Sequence, residues 1–434
     1  MNPTPRFLIP ALTASVLALS LAGCEPTGTA LVEDNKQQQQ QGDEQTSTAT
    51  IHEGTISASE TWTKAGGPHV VRGKVYVQSE QGATLTIEAG AQVRFELGAG
   101  LYFGYESGKR GVLDAQGTVE QPIVFASAAS SPAKGDWAAV YLGNGAASSM
   151  MSHCTISHGG GGSEAALIVE GAGNKPAVMN CTIEQSASLG IKLSADAYFV
   201  AFENNVVKTS ASNPIRLGAN EAGSLGSGNR FEENGVQAIH VDAGTVSRST
   251  SWLPQGVPYR LHGTTYVQHE TIAPVLAIKP GATLEFGPEA ALKVAHGSGT
   301  QGALYAIGTA EAPITFRGVS TEPGSWAGIS MGEGTVAGAE LSVNTTVIQH
   351  AVIEHGGGGN TNDSALLYLY NAKPLVENVT FRHSGSTKAV VVRGVRSKVP
   401  TFDSWGLFGD NGSGNVWGAG LEMPAVEDAA QNDS

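Results

Sequence analysis

The string His153–Gly162, HCTISHGGGG, returns as HAVIEHGGGG at His350–Gly359. Each version places two histidines five residues apart, ahead of four glycines. Imidazoles serve as metal ligands, general bases and pH-sensitive charges. A zinc site needs its ligands to converge at about 2 Å on one ion. Five residues of extended chain span roughly 16 Å, and positions 153 and 158 have opposite strand parity. The pair within one string therefore chelates only if the chain turns back sharply. The glycines have a simpler task, because corners between strands need positive φ and close backbone approach. His158 and His355 are expected as packed rings flanking such a corner. No run of Asp, Glu or Cys beside them completes a ligand set in the sequence, so no metal is expected. His153 and His350 are expected on an outward face, as weak candidates for touching a ligand.

The acidic residues give no clearer chemistry. Glu88, Asp114, Glu120, Asp136, Glu164 and Glu184 are scattered, without the close carboxylate pair that a glycoside hydrolase uses. Asp136 of GDWAAV becomes Ser325 in the matching GSWAGI. The strings GISMG (Gly328–Gly332) and GSGTQG (Gly297–Gly302) match G-x-S-x-G and G-x-G-x-x-G by letter, but no helical period follows either, so neither reads as a nucleophile elbow or a dinucleotide fingerprint. A phosphate-binding loop and calcium-loop nonapeptides are missing. No catalytic residue is assigned and no cofactor is expected. A net charge of −14 argues against nucleic-acid partners, whose backbones call for basic stripes.

The elements that must carry these residues read as strands and turns. The chain of 434 residues has 57 glycines and no sustained 3.6-residue apolar period. Short alternating runs lie between Gly, Asn and Ser clusters. LTIEAGAQVRF (Leu85–Phe95) matches LAIKPGATLEF (Leu276–Phe286), and GVLDAQGTVEQPIVF (Gly111–Phe125) matches GALYAIGTAEAPITF (Gly302–Phe316). The two glycine strings, NKPAVMNCTI against AKPLVENVTF, and GSGNRF against GSGNVW keep the same order, at an offset of 186 to 200 residues. Two copies follow, at 56–245 and 246–420. Within the first, similar triplets begin at Cys154, Cys181, Asn205 and Phe231, in steps of 27, 24 and 26 residues. Such steps suit one coil of a β-solenoid, in which each turn buries its inward face on the next.

Alternation assigns the inward side. Cys154, Ile156, Cys181 and Ile183 share a face with their counterparts Ala351, Ile353, Val379 and Phe381, all apolar, so this is the core. Trp137 and Trp326 occupy matching places and are expected to supply core bulk. Tyr368 and Tyr370 share the face opposite Leu367 and Leu369, where an exposed tyrosine can stack on a sugar ring. Cys154 and Cys181 fall on successive coils, with Cα atoms near the strand spacing of about 4.8 Å. That distance allows a disulfide, and two buried thiols serve equally well.

The order GATLTIEAGAQVRF, LDAQGT…QPIVF, GDWAAV, CTISHGGGG resembles the right-handed parallel β-helix repeat proteins found among bacterial secreted and surface lipoproteins. That resemblance implies an all-β, right-handed parallel β-helix, or pectin lyase-like, fold over both copies. It implies little about activity.

The ends read differently. MNPTPRF carries Arg6 ahead of the apolar LIPALTASVLALSLAG, which is a secretory signal rather than a span of the mature chain. LAGC at Cys24 resembles the lipobox of bacterial lipoproteins. The resemblance implies removal of residues 1–23, a lipid on Cys24 and a membrane anchor. Glu25 lacks the aspartate linked to inner-membrane retention, which points to the outer membrane or cell surface. Residues 24–55, with five consecutive glutamines, read as a disordered tether, and 421–434 as an acidic tail.

The expectation is an envelope lipoprotein whose β-helix binds or supports and does not catalyse. Its expected partners are the membrane through the lipid, and polysaccharide or another surface protein. A polysaccharide lyase or glycoside hydrolase of the same shape is the alternative.

Overall fold

A computed structural model describes residues 49–194, 196–336, 345–358, 364–393 and 415–417. Every strand pairing in it is parallel, and each strand pairs with the strand one coil away. Val93, Phe125, Ile156, Ile183, Val207 and Phe231 lie in one register row and are all buried. Each such side chain contributes about 1.5–3 kcal/mol by leaving water. One apolar core runs from Trp62 to Val392. Cys154, Ile156, Cys181, Ile183, Ala351, Ile353, Val379 and Phe381 all face it, as alternation requires.

The coil period differs at one point from the sequence reading. Val206 pairs with Arg230, so the column continues from Asn205 to Asn229 and the third step is 24 residues. Phe231 instead pairs with Val207. The apolar pattern misled because the column changes chemistry, from thiol to amide. Asn205 Oδ1 accepts from the Cys181 N–H at 2.9 Å, and Asn229 Oδ1 accepts from the Asn205 N–H at 3.1 Å. Copy two ends its column likewise, with the Val379 N–H donating to Asn415 Oδ1 at 2.8 Å.

Thr50–Ile56 is also a strand, paired with His69–Val77, although residues up to 55 were expected to belong to the tether. Its side chains are mostly exposed, so it carries no apolar signature. Backbone hydrogen bonds to the open edge of the first coil hold it.

The two copies form one compact unit, continuous at residues 245 and 246. Ile239–Asp242, in copy one, pairs with Tyr259–Leu261, in copy two. These strands are not equivalents. Ile239–Asp242 continues the column of Gly100–Phe103 and Val140–Leu142, whereas Tyr259–Leu261 leads to Thr283–Phe286, the counterpart of Gln92–Phe95. In a three-sided solenoid, copy two is therefore turned by one side about the axis.

Candidate ligand-binding face

The glycine strings are corners. His153 (φ 49°) stacks above Asn180 and Asn204, and His158 (φ 64°) above Gln185, Thr209 and Glu233, all left-handed. His350 with Asn378, and His355 with His383, repeat this in copy two. Each such residue costs about 1–2 kcal/mol, which the surrounding coils must outweigh. Trp137 closes the first corner, stacked on Phe95 at 4.0 Å, with its N–H donating to the Ser157 carbonyl at 2.8 Å. Trp326 does the same on Phe286 at 4.0 Å, donating to the Glu354 carbonyl at 2.9 Å. Both rings are core, as their matching places predicted. His153 and His350 are half-buried and left-handed: His153 lies between two strands, and His350 bends the strand Val347–Glu354. Their left-handed backbone turns the chain, which parity counting along one straight strand cannot anticipate.

Tyr368 and Tyr370 lie outside Leu367 and Leu369, and Tyr370 is 45% exposed. Tyr368 is in register with Ser330 and Val391. Cys154 and Cys181 are separate, buried thiols. Cys154 Sγ lies 3.3 Å from the Ala115 carbonyl, and Cys181 Sγ 3.2 Å from that of Met179. The hydrogen bond to Cys181, and then burial, push the Cys154 thiol well up. Cys24 lies outside the described residues.

A more developed surface lies elsewhere. Tyr76, Tyr102 and Tyr141 occupy one outward row on successive coils. Their ring centroids are 5.3 and 5.6 Å apart. Tyr105 leans over all three, at 5.7, 5.4 and 5.1 Å, and is 48% exposed, whereas Tyr102 beneath it is buried. Lys74 Nζ sits 5.8 Å from the Tyr102 ring centre. Burial raises the Tyr102 phenol, and Tyr76 and Tyr105 add to this. The Tyr141 hydroxyl donates to Glu170; burial, then that bond, raise its pKa too. Beside the rings is a depression of about 330 Å³, lined by Thr55, Ser57, Gln78, Glu80, Glu106 and Lys109 among others. Gln78 Oε1 ties the two together by accepting from the Tyr105 and Glu106 N–H groups at 3.1 and 3.0 Å.

The same row continues along the solenoid as charge. It passes through Ile168 to Lys192, Arg216, His240, Arg260, Glu285, Arg317, Glu354 and Arg382. Carboxylates on and beside this row are bound to basic partners. Arg216 Nε reaches both Asp242 oxygens, at 3.0 and 3.1 Å, and His240 Nε2 is 3.1 Å from one of them. Burial alone would raise the Asp242 carboxyl, but bonds from His240 and Arg216 outweigh it and hold it at about 2. Glu285 accepts from Arg260 at 2.8 Å and Arg317 at 2.7 Å.

The tyrosines escaped sequence reasoning. Their signal was present in KVYVQ, GLYFG and AVYLG, each a tyrosine between two inward apolar residues. A second grouping also escaped it, since Glu354, His355 and His383 bring ligand atoms within 4.8 Å of one another.

Residues 54–161 match the family model described as pectate-lyase like beta helix domain. Residues 135–250 match that of the right handed beta helix region. Together the matches cover the first copy. No curated protein and no solved structure matches the chain. With coils stacked in parallel through both copies, these matches make the chain a right-handed parallel β-helix protein.

Proposed function

We propose that this protein is a cell-envelope lipoprotein, anchored through a lipid on Cys24, whose β-helix binds polysaccharide without turning it over. The patch of Tyr76, Tyr102, Tyr105 and Tyr141 carries this reading. A sugar ring presents one largely C–H face, and covering about 50 Å² of apolar area with a tyrosine is worth about 1 kcal/mol. Tyr105 is the exposed ring of the patch and offers a face for this stacking. The depression beside them offers amide, hydroxyl, carboxylate and ammonium groups for sugar hydroxyls. His240 and Arg216 hold Asp242 as the carboxylate, which disfavours it as the general acid of a hydrolase.

The test is a glycan array probed with the full chain, with chromatography for released sugars. Retention of a polysaccharide, weakened about fivefold or more in Tyr105→Ala, is the expected result. Retention unchanged by that substitution would remove the tyrosine patch from the account. The match to a pectate-lyase-like domain favours a second reading, a lyase or glycoside hydrolase of the same shape. Any sugar released from the array ligand would establish it. The anchor is tested separately, since Cys24→Ser should leave the membrane fraction.

A further inference from the structure

We propose that Glu354, His355 and His383 form a site for a divalent cation of the zinc type at the copy-two corner. The corner itself is shared by both copies, but the ligands are not. Register aligns Glu354, His355 and His383 with Ser157, His158 and Gln185 of copy one. The first copy has the same bend, one imidazole and the Asp136 carboxylate near His158, whereas the second has Ser325 in place of Asp136, carries its carboxylate at Glu354 and adds a second imidazole. A structural role alone does not call for those two replacements, because the copy-one corner closes without them.

His355 is 8% exposed, and its Nδ1 is buried without a hydrogen-bond partner. That nitrogen lies 4.0 Å from Glu354 Oε1. Buried polar atoms normally have a partner, and a metal ion is one way to supply it. His158 Nδ1 is equally unpartnered, so the orphan atom belongs to the bend and the rest of the donor set belongs to copy two. The His355 and His383 rings are nearly parallel, 5.3 Å apart and 13° from coplanar. Arg382 Nε donates to Glu354 Oε2 at 2.5 Å, which orients the carboxylate and leaves Oε1 turned to His355. Orientation of a ligand by an outer partner is the usual support for metal sites.

A tetrahedral ion with bonds of about 2 Å holds its ligand atoms roughly 3.4 Å apart. The present limit of 4.8 Å must therefore contract by about 1.4 Å at most. His383 has an exposed side chain and can supply that movement. Two imidazole nitrogens with one carboxylate oxygen suit Zn²⁺, Ni²⁺ or Cu²⁺, whereas Ca²⁺ and Mg²⁺ prefer oxygen sets. Three protein ligands leave at least one coordination position for water or a ligand.

The full chain, stripped with chelator, is titrated with Co²⁺ and then with Zn²⁺. The site predicts a visible d–d spectrum saturating at one equivalent, bleached by Zn²⁺, without the thiolate band that cysteine ligation would add. Zn²⁺ should also raise the melting temperature of the unsubstituted chain by mass action. Glu354→Ser and His383→Gln install the copy-one residues. Each is expected to weaken binding at least about tenfold, while His153→Asn leaves it unchanged. Absence of both the spectrum and the melting shift, or affinity unchanged in both variants, would overturn the proposal.

Discussion

The glycines at residues 159–162 look interchangeable in the sequence, yet they should respond differently to substitution. A methyl group at Gly161 would sit 1.9 Å from the Gly135 carbonyl oxygen and 2.6 Å from its carbon. Both atoms belong to backbone, and Gly135 is itself fixed by donating to the His158 carbonyl at 3.1 Å. The coil must move, so Gly161→Ala should cost about 3 kcal/mol or more. At Gly162, φ is +65° and nothing lies within 4 Å of the added atom. Its substitution carries only the left-handed penalty, about 1–2 kcal/mol. At about 2 °C per kcal/mol for a chain above 150 residues, the midpoints should fall by about 6 °C and about 2–4 °C. Thermal melts followed by circular dichroism distinguish them. Gly358→Ala provides a repeat in copy two, where the Gly324 oxygen would lie 2.1 Å away. Equal losses at Gly161 and Gly162 would refute the claim that close backbone approach makes this corner glycine-rich.

Three further outcomes follow from the coils. Asn205→Ala removes the acceptor for the Cys181 N–H and the donor to the Val178 carbonyl, and should cost about 2–3 kcal/mol, with faster hydrogen exchange at the Cys181 amide. At the first coil, His52 stacks on Trp62 at 4.0 Å, and its Nε2 lies 3.0 Å from His69 Nδ1. Burial, then the charge of His69, lower His52 to about 4, so its contribution is complete above about pH 6.5 and is lost as pH falls through 4. Melting temperatures measured across that window should fall with pH, less steeply in His52→Asn. Cys154 and Cys181 should resist thiol reagents in the native state and react once the chain is unfolded under non-reducing conditions, whereas silence after unfolding would mean a disulfide.

What could be read in the sequence was local or periodic. The inward side of Cys154 and Ile156 followed from alternation, and the corner role of the glycines followed from their conformational freedom and small size. Trp137 and Trp326 declared themselves by recurring in matching places. Features that depend on which residue sits above which were out of reach, because loops between strands vary in length. Tyr102 follows Tyr76 by 26 residues and Tyr141 follows Tyr102 by 39, so no fixed period reveals their row. His383 meets His355 for the same reason, and only register shows it. The edge strand Thr50–Ile56 was missed because backbone pairing, and not side-chain pattern, holds it in place.

The turn of copy two by one side separates residues that descend from the same ancestral position. Tyr266, Lys293, Ser330 and Tyr368 are the counterparts of Tyr76, Tyr102, Tyr141 and Ile168, yet they line a different wall of the rod. A polymer laid straight along the aromatic patch runs onward over Arg260, Glu285 and Arg317 instead. Gene duplication here lengthened the track without doubling it, and freed the second set of positions to diverge.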